Sequence, residues 1–287
     1  MPYDAEISRA NPGCILLMID RSGSMEDPFF GAIEGAPAGQ KQTKAQGVAD
    51  AINRLLSTIV IRCTKEEGAR DYFDVGVLGY GESVGPAFSG PLAGRPLVKI
   101  SEVADSPARV ETRTRRIPDG AGGLVEEQVN FPVWFDAVNK GGTPMSQAFR
   151  RAHEILLEWV AQHPTSFPPI LVHLTDGEST DGDPTPAAQA VQGLSTGNGG
   201  ALVYNCHISS DRAPKVLFPG GPEELPPAKF APLLFGISSE LPSSLADAAR
   251  AEQLTTSQRP RGFVFNGDLV DVIRFLDIGT RATAQLR

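Results

Sequence analysis

The sequence predicts an α/β protein with a doubly wound, mostly parallel sheet, one antiparallel edge strand and helices on both faces. Short apolar runs alternate along the chain with longer segments whose apolar residues recur at helical spacing, a pattern typical of strand–helix–strand units. The 287 residues, 41% of them hydrophobic, are enough for one large core. We expect a single domain over residues 1–287, with insertions at about 26–42 and 81–130.

The first half of the chain begins with a strand, a helix and a second strand. Residues 14–20 are apolar up to Asp20 and predict a buried strand. After a loop rich in Gly, Pro and Ala, apolar residues from Ala45 to Ile59 recur at helical spacing and predict a helix. Residues 72–80 predict the next strand. Gly-Pro pairs punctuate the insertion at 81–130, and alternating residues at its end predict an edge hairpin.

The second half repeats the alternation. A helix is expected after Gly141-Gly142-Thr143-Pro144, with its apolar face running from Met145 to Val160. A proline-rich surface loop is expected over residues 214–232. The other predicted elements are, in order, a strand at 169–175, a helix at 186–194, a strand at 201–208, a short strand at 233–237, a helix at 243–254, a strand at 262–265 and a last helix from about 268.

Charge and cysteine content exclude several functional classes. A formal net charge of -8 and a pI near 5.1 argue against nucleic-acid binding and against attraction to an anionic membrane. The three cysteines, Cys14, Cys63 and Cys206, have neither a disulfide nor a zinc-site spacing, and each lies in or beside an apolar run. No run reaches the roughly 18 apolar residues of a membrane span, and residues 1–12 lack an apolar signal segment. We therefore expect a cytoplasmic protein.

The most informative stretch is Asp20-Arg21-Ser22-Gly23-Ser24, which directly follows the first predicted strand. The carboxyl ends of strands are where open α/β sheets place their ligands. Asp20, Ser22 and Ser24 offer oxygen atoms only, with no thiolate and no imidazole. A mixture of hydroxyls and carboxylates suits a hard divalent cation, Mg²⁺ above all.

Two further loops carry oxygen ligands: Thr143 lies in Gly-Gly-Thr-Pro, and Asp176 lies in Leu-Thr-Asp-Gly. Together with Asp20-x-Ser22-x-Ser24 they resemble the metal-ion-dependent adhesion site (MIDAS) of the von Willebrand factor type A (vWA) domain. The order of strands, helices and loops extends the resemblance over nearly the whole chain. It is strongest to stand-alone bacterial vWA proteins and implies the Rossmann-like vWA fold. One departure is that residues 26–42 separate the first loop from its helix.

The resemblance implies a function. In the family the two serines and the threonine bind the cation directly, and the two aspartates hold it partly through water, which assigns these roles to Ser22, Ser24, Thr143, Asp20 and Asp176. The expected cation is Mg²⁺, with Mn²⁺ and Ca²⁺ as alternatives. A Glu or Asp of a protein partner would complete its coordination, so we expect a non-enzymatic interaction module in a bacterial signalling or stress-response assembly. A kinase, a phosphatase or an AAA+ ATPase are the partner classes that it suggests.

Two other functions stay open at this point. A metal-assisted hydrolase would need a general base, for which Glu26, Glu178 and Asp181 are the nearby candidates. A scaffold in which the metal only stabilises the fold is the second alternative. The acidic run of Glu178, Asp181 and Asp183 is interpreted as a solvated loop. His173 and His207 lie in predicted strands and are interpreted as hydrogen-bonded structural residues.

Overall fold

The structure, a computed structural model, describes residues 3–29, 42–118, 124–209 and 214–279. Most of the insertion expected at 26–42 and the turn of the expected hairpin lie outside the described residues. The strands are β1 Gly13–Asp20, β2 Thr64–Lys65, β3 Gly68–Ala69, β4 Phe73–Tyr80, β5 Val84–Pro86, β6 Val98–Lys99, β7 Arg109–Pro118, β8 Leu124–Val133, β9 Ile170–Thr175, β10 Ser195–Thr196, β11 Gly199–Gly200, β12 Leu202–Ile208, β13 Val216–Leu217 and β14 Phe263–Gly267. The helices are α1 Lys44–Cys63, α2 Ile100–Asp105, α3 Met145–Gln162, α4 Thr185–Gln192, α5 Ala231–Gly236, α6 Ser243–Ala251 and α7 Leu269–Gly279.

One sheet organises the molecule, with strand order β13-β14-β12-β9-β1-β4-β5. Its five long strands, β14, β12, β9, β1 and β4, are parallel. Short antiparallel strands flank them on both sides, β13 at one edge and β5 and β6 beside β4 at the other. The predicted fold class is confirmed, and the antiparallel pairing occurs at both edges of the sheet rather than at one.

Helices cover both faces of the sheet. Every residue of β1 is buried, and because successive side chains of a strand point to opposite sides, both sides must be covered. Ile15, Leu17 and Ile19 pack into the layer that contains α1, α2, α6 and α7. Cys14, Leu16 and Met18 pack into the layer of α3, α4 and α5. After β1 the chain continues to α1 on one face of the sheet. The neighbouring strand β9 is preceded by α3, which lies on the other face. The carboxyl edge between β1 and β9 is therefore where a doubly wound sheet opens a crevice.

The predicted elements agree with the structure over most of the chain, but the short strand expected at 233–237 is wrong. Residues 233–236 belong to helix α5, and Ile237 caps its end. Pro232 lies in the first turn of this helix, where the missing N–H costs nothing. Leu234 and Phe235 are buried, and the Phe235 ring meets Phe263 edge to face. A run of five apolar residues fits either a buried strand or one face of a short helix, so packing decides the outcome.

The expected hairpin forms but is not an edge of the main sheet. β7 and β8 pair over ten residues each and, among the described residues, join no other strand. The ribbon is fixed to α1 by an ion pair of 2.8 Å between Arg113 and Asp50. The same guanidinium lies 3.6 Å from the ring centre of Phe131. Arg113 thus connects the ribbon to the domain.

The three cysteines are free and buried, as the sequence indicates. Within the described ranges, no helix combines the length and the apolar character that crossing a bilayer requires.

A chain of buried polar groups crosses one face of the sheet. The ring of His173 on β9 lies 2.6 Å from the Tyr80 hydroxyl through Nε2 and 2.8 Å from Asn205 Oδ1 through Nδ1. Asn205 in turn donates to the Ser238 hydroxyl at 2.9 Å. Because an amide oxygen only accepts, Nδ1 carries the proton and Nε2 accepts from tyrosine, which describes a neutral imidazole. His173 is therefore the hydrogen-bonded structural residue that the sequence suggests.

Burial lowers the pKa of His173 to about 4, against the smaller opposite effect of its hydrogen bond to Asn205. An unfolded chain would bind a proton near pH 6.5, so it takes up more protons than the folded chain between about pH 6.5 and pH 4. Folding stability from this residue is therefore complete above pH 6.5 and falls as the pH drops through that interval.

We expect a His173→Gln variant to lose about 2 kcal/mol of stability at pH 7, because two buried groups, the Tyr80 hydroxyl and Asn205 Oδ1, lose their hydrogen bonds to the imidazole. Its unfolding free energy should also fall less steeply than that of the wild type between pH 6.5 and 4, by up to about 1.4 kcal/mol per pH unit. Urea unfolding across this pH range measures both effects. Tyr80→Phe is the matched control, because it removes a hydrogen bond and keeps the imidazole. Equal pH slopes for His173→Gln and the wild type would contradict the assignment.

Candidate metal centre

Asp20 is held at the end of β1 by two neighbours. β1 and β9 run parallel with Ile19 opposite Leu174, so Asp20 and Thr175 emerge side by side. The Thr175 hydroxyl donates to Asp20 Oδ2 at 2.7 Å, and the Ser22 N–H donates to Oδ1 at 2.9 Å. Burial raises the pKa of Asp20 to about 6, although both of these neighbours act to lower it. A buried carboxylate with a raised pKa marks a place where positive charge would be stabilised.

The two serines of the first loop face the loop that follows β9. The Ser22 and Ser24 hydroxyl oxygens lie 3.0 Å apart, and the Ser24 hydroxyl donates to Asp176 Oδ1 at 2.7 Å. The buried side chain of Met25 fixes the short 3₁₀ turn Gly23–Glu26 that carries Ser24. Asp20, Ser22, Ser24 and Asp176 therefore form one hydrogen-bonded group at the carboxyl edge of the sheet.

Thr143 reaches this edge from the loop before α3. The Gly23 N–H donates to the Gly141 carbonyl at 3.1 Å, which ties that loop to the first one. Thr143 and Thr180 exchange two hydrogen bonds of 2.9 Å, which tie it to the loop after β9. A Cβ atom on Gly177, next to Asp176, would lie 3.8 Å from the Thr143 hydroxyl. Asp20 thus lies at the end of β1, and the other four residues predicted from the sequence lie on three loops that are bonded to one another.

The donor set fits a small hard cation. Two ligands at right angles around Mg²⁺, each about 2.1 Å from the ion, are about 3.0 Å apart, which is the spacing of the Ser22 and Ser24 hydroxyls. Within the described ranges, no three His, Cys, Asp or Glu side chains form a group that could hold a metal. Coordination here would therefore depend on hydroxyl oxygens together with two carboxylates, a set suited to Mg²⁺ and unsuited to softer metals.

Sequence reasoning did not identify Lys44, the first residue of α1. Its ammonium lies 2.8 Å from Asp176 Oδ2 and 3.2 Å from Asp27 Oδ2. The Lys44 side chain is 6% exposed and that of Asp176 is 0% exposed, so this ion pair is shielded from water. The sequence does contain a signal that could have identified it: Lys44 lies four residues before Val48, and therefore on the apolar face of the helix. A lysine on that face needs a buried partner.

The acidic run after Asp176 is not simply a solvated loop. Asp181 accepts hydrogen bonds from the Ser146 and Gln147 N–H groups at 2.9 and 2.8 Å, and so caps the start of α3. Burial acts to raise the pKa of Asp181, but these backbone N–H groups together with the Ser179 and Ser146 hydroxyls outweigh it, and the pKa is lowered. Glu178 pairs with Lys229 at 2.9 Å. Asp183 accepts from the Thr185 N–H, as expected of a residue just before a helix.

His207 lies beside the centre without facing solvent. It is opposite Thr175 in the pairing of β12 with β9, and its ring stacks on Phe265 with 4.3 Å between ring centres. Burial lowers its pKa to about 4. The Asn266 N–H donates to its Nδ1 at 3.4 Å, so His207 is a hydrogen-bonded structural residue, as the sequence suggests.

A cavity of about 330 Å³ opens next to the centre, between the loop after β9 and helix α5. Its walls combine Gly177 and Glu178 with the apolar side chains of Met145, Phe230 and Leu233. The centre therefore borders a recess with an apolar side.

Comparisons with known proteins give structural neighbours only. No family model matches the sequence, and no curated protein matches it. Among solved structures, a von Willebrand factor type A protein from Catenulispora acidiphila is 16% identical, with a TM-score of 0.40 over 70% of this chain and 34% of that one. The conserved hypothetical protein BatB from Bacteroides thetaiotaomicron is 14% identical, with a TM-score of 0.36 over 68% of this chain and 66% of its own.

The ArnB paralog VWA2 from Sulfolobus acidocaldarius is 12% identical, with a TM-score of 0.36 over 72% of this chain and 37% of its own. This chain thus spans about a third of two of these structures and just under two thirds of the other. At these identities and scores the neighbours indicate what the chain is similar to, and the interpretation of the site depends on its own geometry.

Gly141 should be essential for the position of the Thr143 loop. Its φ is +87°, and a Cβ atom there would collide with the backbone of Glu82. We expect Gly141→Ala to cost about 2–4 kcal/mol, combining the backbone strain and the collision. Gly182→Ala is the matched control, since Gly182 has a φ of +97° and open space around it. It should cost only about 1–2 kcal/mol. Urea unfolding of both variants tests this, and equal losses would show that the close approach does not matter.

Proposed function

We propose that this chain is a non-enzymatic, vWA-type interaction module that binds a divalent cation through Asp20, Ser22, Ser24, Thr143 and Asp176. The cation is Mg²⁺, with Mn²⁺ and Ca²⁺ as substitutes. An acidic side chain of a protein partner completes its coordination. The observation that carries the proposal is the hydrogen bond between Ser24 and Asp176, which joins the loops after β1 and β9 at the carboxyl edge of the sheet.

The chemistry of the donors supports this function. Three of the five groups are neutral hydroxyls, so only two carboxylates would compensate a divalent cation, and one of these, Asp176, already faces the Lys44 ammonium. A cation held in that way attracts an anionic oxygen ligand, and a carboxylate is the one that a protein partner can supply. The apolar recess beside Gly177 gives neighbouring side chains of such a partner room to pack. The partner classes proposed from the resemblance are a kinase, a phosphatase and an AAA+ ATPase, in a bacterial signalling or stress-response assembly.

The surroundings of the centre favour binding over hydrolysis. Of the candidate bases, Asp181 accepts two backbone N–H bonds that help lower its pKa, so it is a weak proton acceptor. Glu178 is paired with Lys229. His173 and His207 are buried and packed against other rings. Glu26, the third candidate, is exposed at the end of the turn Gly23–Glu26. An efficient metal-assisted hydrolase would need a base that is both accessible and held in position.

We expect Thr143→Ala and Ser24→Ala to weaken Mg²⁺ binding by about tenfold or more while the protein stays folded. Each variant removes one hydroxyl donor, and neither disturbs a strand. Isothermal titration with Mg²⁺ and with Mn²⁺ measures the loss, and circular dichroism checks the fold. Ser179→Ala is the matched control, because its hydroxyl donates to Asp181 outside the donor set. If the wild-type protein takes up neither cation at millimolar concentration, the proposal is wrong.

The same variants separate a binding module from a scaffold with a structural metal. We expect EDTA, Thr143→Ala and Ser24→Ala each to release a partner captured by the immobilised wild-type protein. A modest fall in melting temperature in EDTA is expected in either case, because any ligand of the folded state stabilises it. Capture that survives EDTA and both variants would support the scaffold instead.

We expect no turnover of phosphoester or peptide substrates in the presence of Mg²⁺ or Mn²⁺. Assays of the wild type against panels of both substrate classes test this, with Glu178→Gln as the diagnostic variant. Hydrolysis by the wild type that disappears in Glu178→Gln would promote the hydrolase alternative over the interaction module.

A further inference from the structure

We infer that Lys44 is a built-in cation that competes with the divalent metal for Asp176. This inference rests on the proposed function and concerns the regulation of the same site. It starts from the contact of 2.8 Å between the Lys44 ammonium and Asp176 Oδ2, made by two side chains that are almost entirely excluded from water.

The position of Lys44 is fixed by the start of α1. The Thr43 hydroxyl accepts from the Gln46 N–H at 3.2 Å, and the Gln46 side chain accepts from the Thr43 N–H at 3.0 Å. This capping box sets the first turn of the helix, and the Lys44 N–H donates to the Asp27 carbonyl at 2.9 Å. The capping box therefore fixes the backbone position from which the Lys44 side chain reaches Asp176. Its second partner, Asp27 Oδ2, lies further off at 3.2 Å and its side chain is 59% exposed.

Both oxygens of Asp176 are engaged in this arrangement. The Ser24 hydroxyl donates to Oδ1 and the ammonium of Lys44 contacts Oδ2. In a shielded site a positive charge against a carboxylate acts strongly on a second cation that needs the same carboxylate. Lys44 thus stabilises Asp176 when no metal is bound and makes metal binding less favourable when metal is offered.

The charge balance gives this competition a consequence for the partner. Among the groups that are shielded from water, Asp20 and Asp176 supply two negative charges and Lys44 supplies one positive charge. Asp27, the second partner of Lys44, is 59% exposed, so water screens its charge and it is not counted. A divalent cation added to that set leaves one positive charge in excess. The metal-loaded site therefore favours an anionic ligand more than the same site without the lysine would, which couples metal and partner binding.

Substitution of Lys44 should shift two properties in opposite directions. We expect Lys44→Met to bind Mg²⁺ at least about tenfold more tightly than the wild type, because the competing charge is gone. In EDTA the same variant should melt about 5 °C or more below the wild type, since a buried carboxylate loses its counter-charge. Saturating Mg²⁺ should restore most of that loss. A change that only removed packing would lower stability without tightening metal binding.

The experiment is isothermal titration of Mg²⁺, with thermal unfolding in EDTA and in Mg²⁺, on the full chain. Lys44→Arg keeps the charge and should bind Mg²⁺ as weakly as the wild type. Lys229→Met is the matched control, because it removes one positive charge from an exposed pair near the centre, and its affinity should stay within about twofold of the wild type. If Lys44→Met does not fold, Lys44→Gln replaces it, as it retains a donor for Asp176 and carries no charge.

The outcomes separate this inference from the proposed function. Tighter Mg²⁺ binding in Lys44→Met or Lys44→Gln, but not in Lys44→Arg or Lys229→Met, supports the inference. Unchanged or weaker binding in the neutral variants, with normal binding by the wild type, overturns the inference and leaves the proposed function in place. If the wild type binds neither Mg²⁺ nor Mn²⁺ at millimolar concentration, the proposed function is overturned, and this inference, which rests on it, is overturned as well.

Discussion

The parallel pairing of β1 with β9 is the constraint on which the site depends. It places the ends of two buried strands side by side, so that Asp20 and Thr175 form a hydrogen bond and the loops that follow them leave the same edge. The other contacts in the centre depend on this pairing of the two strands. The bond of Ser24 to Asp176 crosses between the two loops, and the loop that carries Thr143 is attached to both. A shift of register between the two strands would separate all of these groups.

The electrostatics of the centre follow from burial. Two carboxylates are enclosed at the end of an apolar sheet, which is unfavourable unless positive charge or hydrogen-bond donors compensate them. Hydroxyl and backbone N–H groups compensate part of this negative charge. Among the described residues, Lys44 contributes the only full positive charge in contact with Asp176. We propose that the negative charge left uncompensated suits the centre to a divalent cation and, through that cation, to an acidic partner.

Much of the fold could be predicted because its central strands are continuous apolar runs with clear ends. The Asp20, Ser22 and Ser24 cluster could be recognised for the same reason, since it directly follows such a run. The identity of α5 could not be predicted, because five apolar residues do not distinguish a strand from a helix. The ribbon of β7 and β8 was identified as a hairpin, but its attachment through Arg113 to Asp50 depends on contacts 63 residues apart. Lys44 was overlooked for a similar reason, as its partner Asp176 lies 132 residues further along the chain.

The most direct test of the proposed metal centre is anomalous scattering from a crystal of this protein soaked in Mn²⁺. We predict one strong peak at bonding distance, about 2.1–2.2 Å, from the hydroxyl oxygens of Ser22, Ser24 and Thr143, with Asp20 and Asp176 in contact directly or through water. A crystal in which the Thr143 hydroxyl lies more than about 8 Å from those of the two serines, far beyond any shared coordination sphere, or in which no peak appears there at saturating Mn²⁺, would contradict it.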